Sequence, residues 1–201
     1  MNITDRHHTL IIFDWDDTCF PTKWFMRNHL QVNSTGWLKY KSYFDDLDMA
    51  LSRMLLTYSE YGTVVIVTNA LSEWVYMSAS ILPTVSDVLQ NIKIISARKL
   101  YQDKSTSMDE WKRQAFSNEL GKLMTKKDIT NIISIGDAEY EYNALVALYA
   151  KHHKQNKIMK SIRFVSDPSQ HVLLDQIKVC TDAARDVVHK STHLDLQFRN
   201  H

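Results

Sequence analysis

Three carboxylates, Asp14, Asp16 and Asp17, fall within four residues, and Thr18 follows them directly. Ahead of them runs Thr9 to Phe13 (TLIIF), a short β-rich apolar stretch of the kind buried on both faces of a parallel sheet. Two more places have the same form. Thr68-Asn69 follows Thr63 to Val67 (TVVIV), and Gly136-Asp137, with Glu139 and Glu141 just beyond, follows Ile132 to Ile135 (IISI). Open α/β sheets bind their ligands at the carboxyl ends of the strands, so these acids and the Thr68 hydroxyl are expected to converge on one edge.

Carboxylates gathered at one edge repel each other and retain protons unless a cation neutralises them. The donors here are oxygens, with no thiolate or multi-histidine set beside them, so Mg²⁺ suits the site better than a softer metal. A carboxylate beside Mg²⁺ can attack phosphorus and form an aspartyl phosphate that water then hydrolyses. Other groups are weaker candidates. His189 and His193 have an i, i+4 spacing suited to a metal but no third ligand, and His7-His8 and His152-His153 are equally isolated, so all read as surface residues. Thr68-Asn69 by itself also reads as an ordinary strand-to-helix turn with a capping side chain. Trp15, Trp24 and Trp37, close to the first acid cluster, read as core or flap residues that could also wall the site.

The elements that must position these residues alternate. Ile92 to Ile95 and Ile162 to Val165 are weaker strand patterns, which brings the expected total to about five. Between the strands, helical periodicity covers Tyr43 to Tyr61, Leu71 to Leu82, Asp109 to Leu123 and Tyr140 to Ala150. A short helix is expected near Thr84 to Leu89 and a last one over Gln170 to His189. Parallel neighbours need crossover connections, so the pattern predicts an α/β fold, a Rossmann-like doubly wound parallel sheet with flanking helices, as a single domain over 1–201. The basic stretch Lys151 to Lys160 reads as a loop or a frayed helix end.

Composition excludes several functions. The four glycines, Gly36, Gly62, Gly121 and Gly136, stand too far apart for a Walker loop or a dinucleotide fingerprint. A net charge of +1 gives no global field for nucleic acid or anionic lipid, so neither a nucleic-acid nor a membrane partner is expected. Cys19 and Cys180 lack CxxC partners, which argues against a disulfide framework or zinc cluster and fits a reducing, cytoplasmic setting. Leu10 to Phe13 is too short for a signal or membrane-spanning segment.

FDWDDT (Phe13 to Thr18), Thr68 after the second strand, a helix-borne lysine and GDAEYE (Gly136 to Glu141) occur in an order that resembles the haloacid dehalogenase-like (HAD) hydrolase superfamily over Thr9 to Val165. The resemblance implies that Asp14 is the nucleophile and Asp16 the general acid/base. It implies that Thr68, with Asn69 beside it, and Lys112 hold the phosphoryl oxygens. It implies that Asp14, the main-chain carbonyl of Asp16 and Asp137 ligate Mg²⁺, with Glu141 acting through water or from behind the ligands and Glu139 its alternative. Lys99, Lys104, Lys112 and Arg113 all lie in the interval for the lysine. EWKRQAF puts Lys112 near a helix start, whereas its alternative Lys104 sits in a polar loop.

Within that superfamily an acid two residues past the nucleophile marks phosphate chemistry, since an alkoxide leaving group needs a proton donor. The resemblance therefore implies a phosphoric monoester hydrolase. Once the core elements are counted, only Cys19 to Ser42 remains for a flap or minimal cap, and a lidless site favours a phosphoprotein or other bulky phosphorylated substrate. The alternatives are a catalytically silent binding module on the same fold and a small-metabolite phosphatase.

Overall fold

The structure, a computed structural model, describes residues 6–152 and 157–199. Residues 153–156 of the basic stretch, including His153, lie outside the described residues. Six strands form one all-parallel sheet: β1 (Thr9–Phe13), β2 (Thr63–Thr68), β3 (Lys93–Ser96), β4 (Asn131–Gly136), β5 (Ile158–Arg163) and β6 (Leu194–Gln197). Their order across the sheet is β3-β2-β1-β4-β5-β6. The chain therefore reverses its direction of winding at β1, and a crevice opens there between the carboxyl ends of β1 and β4.

The sheet has one strand more than the five expected. β6 (LDLQ) is short, half polar and largely exposed, so it carries no apolar run; it is defined by its ladder with β5, from Lys160↔Leu194 to Arg163↔Gln197. β5 also begins four residues earlier than the Ile162 to Val165 pattern. Its Lys160 is fully buried and therefore disguises the strand, its Nζ donating to the Val188 carbonyl at 2.8 Å.

The helices are α1 (Thr22–Arg27), α2 (Lys41–Tyr61), α3 (Ser72–Ala79), α4 (Pro83–Leu89), α5 (Ala97–Tyr101), α6 (Met108–Gln114), α7 (Gly121–Lys127), α8 (Glu139–His152), α9 (Gln170–Asp182) and α10 (Ala184–His189). A π-helical turn, Ala115–Leu120, joins α6 to α7 and interrupts the continuous helix expected there. The stretch Leu71 to Leu82 stops at Ala79, because Pro83, favourable at a helix start, opens α4. Gln170 to His189 breaks at Ala183 into α9 and α10. Among the described residues no helix is long and apolar enough to cross a membrane.

Strand alternation divides the core into two layers. Ile11, Phe13, Ile66 and Ile135 pack on Phe44 and Leu51 of α2, Val85 of α4 and Ile177 of α9. Leu10, Ile12, Val67 and Ile132 pack on Trp111 of α6, Phe116 of the π turn and Leu145 of α8. Burial on both faces explains why these strands read as unbroken apolar runs.

The first layer also contains a polar tie. Asp48 of α2 is buried and accepts from the Thr84 and Val85 amides at 3.1 and 2.8 Å, serving as the cap that Leu82, at the start of α4, does not supply. Asp48→Ala is expected to cost about 1–3 kcal/mol by leaving these amides unbonded. In thermal unfolding this should lower Tm by about 2–4 °C per kcal/mol.

Candidate active site

Asp14 extends β1 by one residue. Its amide donates to the Ile135 carbonyl at 2.9 Å, which fixes its side chain at the mouth of the β1–β4 crevice. Lys112, one of the few fully buried charged side chains, comes to the same point from α6. Its Nζ lies 2.5 Å from Asp14 Oδ1, 2.6 Å from the Val67 carbonyl and 2.8 Å from Glu141 Oε1. Two of the ammonium's protons are donated to Asp14 Oδ1 and the Val67 carbonyl, and Glu141 Oε1 faces it as an ion-pair partner without a hydrogen bond.

Each arm of this arrangement has its own support. α6 begins at Ser107, whose Oγ accepts from the Glu110 amide at 3.4 Å, and Asn69 Nδ2 donates to the Met108 carbonyl at 3.2 Å. Glu141 sits in the first turn of α8, and its Oε2 accepts from the Ala138 amide at 3.1 Å. Its side chain lies against Gly136: a Cβ there would be 2.5 Å from Glu141 Cγ, so only glycine admits the glutamate.

Asp16 is gripped by neutral donors. Thr22 Oγ1 and Trp74 Nε1 donate to its Oδ1 at 2.6 and 2.8 Å, and Thr68 Oγ1 donates to Oδ2 at 3.3 Å. Trp74 is itself set from the core. Trp15 Nε1 donates to Ser78 Oγ at 2.9 Å, and Ser78 Oγ donates to the Trp74 carbonyl at 2.7 Å. Asp17 turns the chain in the left-handed region, φ 56°, a conformation aspartate tolerates better than most residues. Its Oδ1 accepts from the Lys23 amide at 2.9 Å and its Oδ2 lies 3.0 Å from Lys23 Nζ, which stands 3.8 Å from Asp137 Oδ2.

The electrostatics follow from this crowding. Burial pushes the Asp14 carboxyl well above its usual range, against the pull of Lys112, and the nearby Glu141, Asp137 and Asp16 add to the push. Asp137 is pushed up to about 7, first by burial and then by Glu141 and Asp17, with Lys23 and Lys112 opposing. Burial alone would lower the Lys112 ammonium, but Asp14 and Glu141 outweigh it and hold it above its ordinary value.

The fold thus gathers Asp14, Asp16, Thr68, Lys112, Asp137 and Glu141 at one edge. Among the lysines weighed from the sequence, Lys112 is the one that meets Asp14. Lys99 pairs with Glu73, Lys104 lies over the Tyr101 ring and Arg113 pairs with Asp109. Glu139 is exposed and pairs with Arg163, leaving Glu141 as the buried acid. Asn69 spends its amide on the first residue of α6. Trp15 is a core residue, fully buried and stacked on Phe20 at 6.5 Å, while Trp24 and Trp37 pack against Phe44.

The histidines lie apart from the site. His189 Nδ1 is 2.8 Å from the Arg185 carbonyl, His193 Nδ1 accepts from the Met159 amide at 3.1 Å, and His8 Nδ1 is 2.9 Å from the Asp128 carbonyl. Thr22, Lys23 and Trp74 were missed in the sequence. Their only signal there is position, since each lies a few residues past a strand end that bears a site acid or threonine.

Among the described residues no three histidine, cysteine or acidic side chains are grouped to hold a metal by themselves. The donor set nonetheless suits a hard divalent ion that takes one or two carboxylates and completes its shell with water, main-chain and phosphate oxygens. Asp14 and Asp137, both held above their usual range by burial and like charge, are the groups that such an ion would relieve. No protein-family model matches the chain, and no curated protein matches it either.

The Asp137 shift has a thermodynamic sign. Because burial raises its folded value above the unfolded 3.8 to about 7, the stability it contributes is fully present below the unfolded value and is lost as pH rises through about 7. In EDTA the protein should therefore unfold at a lower temperature at pH 8 than at pH 5. Asp137→Asn, which does not ionise, should narrow that difference by removing about 1–3 kcal/mol of pH-dependent stability.

Proposed function

We propose that this chain is a Mg²⁺-dependent phosphatase of the haloacid dehalogenase-like type, acting on phosphomonoesters of phosphoproteins or other bulky substrates through an aspartyl phosphate on Asp14. The observation that carries this reading is the buried Lys112–Asp14 contact at the crevice between β1 and β4, with Asp16 two residues further on and bonded to Thr68. The near-neutral charge supports no nucleic-acid or membrane partner, and the unpaired, buried Cys19 and Cys180 support a reducing, cytoplasmic setting.

Asp14, Asp137 and the main-chain carbonyl of Asp16 would hold the ion, with Glu141 supporting from behind. When bound, Mg²⁺ would offset the charge of the phosphoryl group and of the carboxylates around it. A carboxylate oxygen of Asp14 attacks phosphorus, and the bond from phosphorus to the leaving oxygen breaks. Lys112 and the Thr68 hydroxyl, the latter exchanging its bond to Asp16 Oδ2 for the phosphoryl group, hold the phosphoryl oxygens.

Asp16 gives its proton to the departing alkoxide. It then takes a proton from water as that water attacks phosphorus, the bond to Asp14 breaks, and inorganic phosphate leaves. Asp16 Oδ1 is held by two short bonds and Oδ2 by one longer one, so Oδ2 is the oxygen assigned to proton transfer. The segment Cys19 to Ser42 folds inward, burying Phe20 and Phe25 and setting Trp24 against Tyr40 at 4.9 Å. This supports an open site, whose remaining substrate contacts come from the substrate's own bulk.

With a chromogenic aryl phosphate and Mg²⁺, the wild-type protein should release phosphate and EDTA should stop it. Ca²⁺, with its larger and looser shell, should inhibit. Asp14→Asn should abolish turnover. Asp16→Asn should slow it by about 10²–10⁴-fold and accumulate phosphorylated protein, since a good leaving group still departs but water is no longer activated. Absence of release by folded wild-type protein would favour the silent binding module instead.

A further inference from the structure

A cavity of about 550 Å³ opens beside Asp137 and runs along the carboxyl ends of β4, β5 and β6. We propose that it is a subsite for an acidic side chain of a phosphorylated peptide, with Arg199 as the cation that receives it. This rests on the phosphatase reading above and names the substrate class of that same site.

The cavity is electrically graded. At its near end stand Asp137 and the half-buried Tyr140. Along its wall the Arg163 guanidinium is already committed. It donates from Nε and Nη2 to the two Asp195 oxygens at 3.1 and 2.8 Å, reaches Glu139 at 3.5 Å and lies 4.8 Å over the Tyr142 ring.

At the far end, Arg199 is exposed and makes no hydrogen bond or ion pair with a described residue. Beside it, Phe198 packs edge-on against Phe164 at 5.2 Å and offers an apolar wall for the stem of a side chain. With Arg163 committed, an anionic group entering this cavity is matched at its far end, by Arg199.

Strand spacing sets the distance. From β1, which carries Asp14, to β6, which precedes Arg199, the chain order across the sheet is β1-β4-β5-β6. Three steps of about 4.8 Å give roughly 14 Å. That is too long for a metabolite whose second acid adjoins its phosphate, and it matches about four residues of extended peptide. The recognised acid therefore lies about four positions from the phosphorylated residue.

The test measures phosphate release by wild-type protein and Arg199→Glu from phosphopeptides bearing Glu, Ala or Lys four positions to either side, with the aryl phosphate assayed on wild-type protein. Wild type is expected to favour the Glu peptide over the Lys peptide by about fivefold in kcat/KM, the scale of one exposed charge pair. Arg199→Glu should invert that order. Equal rates on all peptides in wild type, or a Glu preference that survives Arg199→Glu, would overturn the subsite while leaving the phosphatase reading intact. A sugar or nucleotide monophosphate that beats every peptide a hundredfold would overturn the peptide assignment. No release from the aryl phosphate would overturn the phosphatase reading and the subsite with it.

Discussion

A buried ammonium is tolerated only where opposite charge and hydrogen-bond acceptors offset its lost hydration, and Lys112, paired with Asp14 and Glu141 and bonded to the Val67 carbonyl, is the point at which this chain meets that demand. Its two acceptors and its second ion-pair partner come from the end of β1, the end of β2 and the first turn of α8, elements far apart in sequence. Asp14 is in turn bonded through its amide to β4. The cation thus ties both sides of the crevice to α6, and removal of any one partner would leave a buried charge without compensation. The same demand accounts for Gly136, because the glutamate needed by Lys112 lies where a Cβ would be.

Around this tie the carboxylates are differentiated by what they touch. Asp16 is held by a hydroxyl and an indole on one oxygen and a hydroxyl on the other, Asp17 by the amide and ammonium of Lys23, and Glu141 by Lys112 and a main-chain amide. Among the described residues Asp137 has one ion-pair partner, the Lys23 ammonium at 3.8 Å, with Lys112 acting from further off, and it is the acid pushed up to about 7. Neighbouring carboxylates with unlike environments are the usual means by which one site supports unlike roles. Here the proposed proton carrier is the one fixed by neutral donors, and a proposed metal ligand is the one short of cations.

The positioning of Asp16 reaches into the core. Trp15, one residue past Asp14, is bonded to Ser78, which is bonded to the Trp74 carbonyl, and the Trp74 indole returns to Asp16. Aromatic residues near the first acid cluster therefore act from below the site as packed supports. α1, through Trp24 and Phe25, and the turn before α2, through Trp37, join the same aromatic mass at Phe44, so this segment is anchored against α2.

The sequence by itself determined the alternation of strands and helices, the parallel sheet, and the edge where Asp14, Thr68 and Asp137 meet. The reason is that strands buried on both faces must be continuously apolar and must end in polar residues, a pattern that is local in the chain. It did not disclose β6 or the start of β5, since an exposed edge strand and a strand with a buried lysine break that pattern. It favoured Lys112 over Lys99, Lys104 and Arg113 only by its place near a helix start, because which cation reaches Asp14 depends on how α6 packs over the sheet. Thr22, Lys23 and Trp74 were hidden for the same reason. Their contacts with Asp16, Asp17 and Asp137 arise from helices folding back over strand ends, a relation between distant parts of the chain that only the tertiary structure decides.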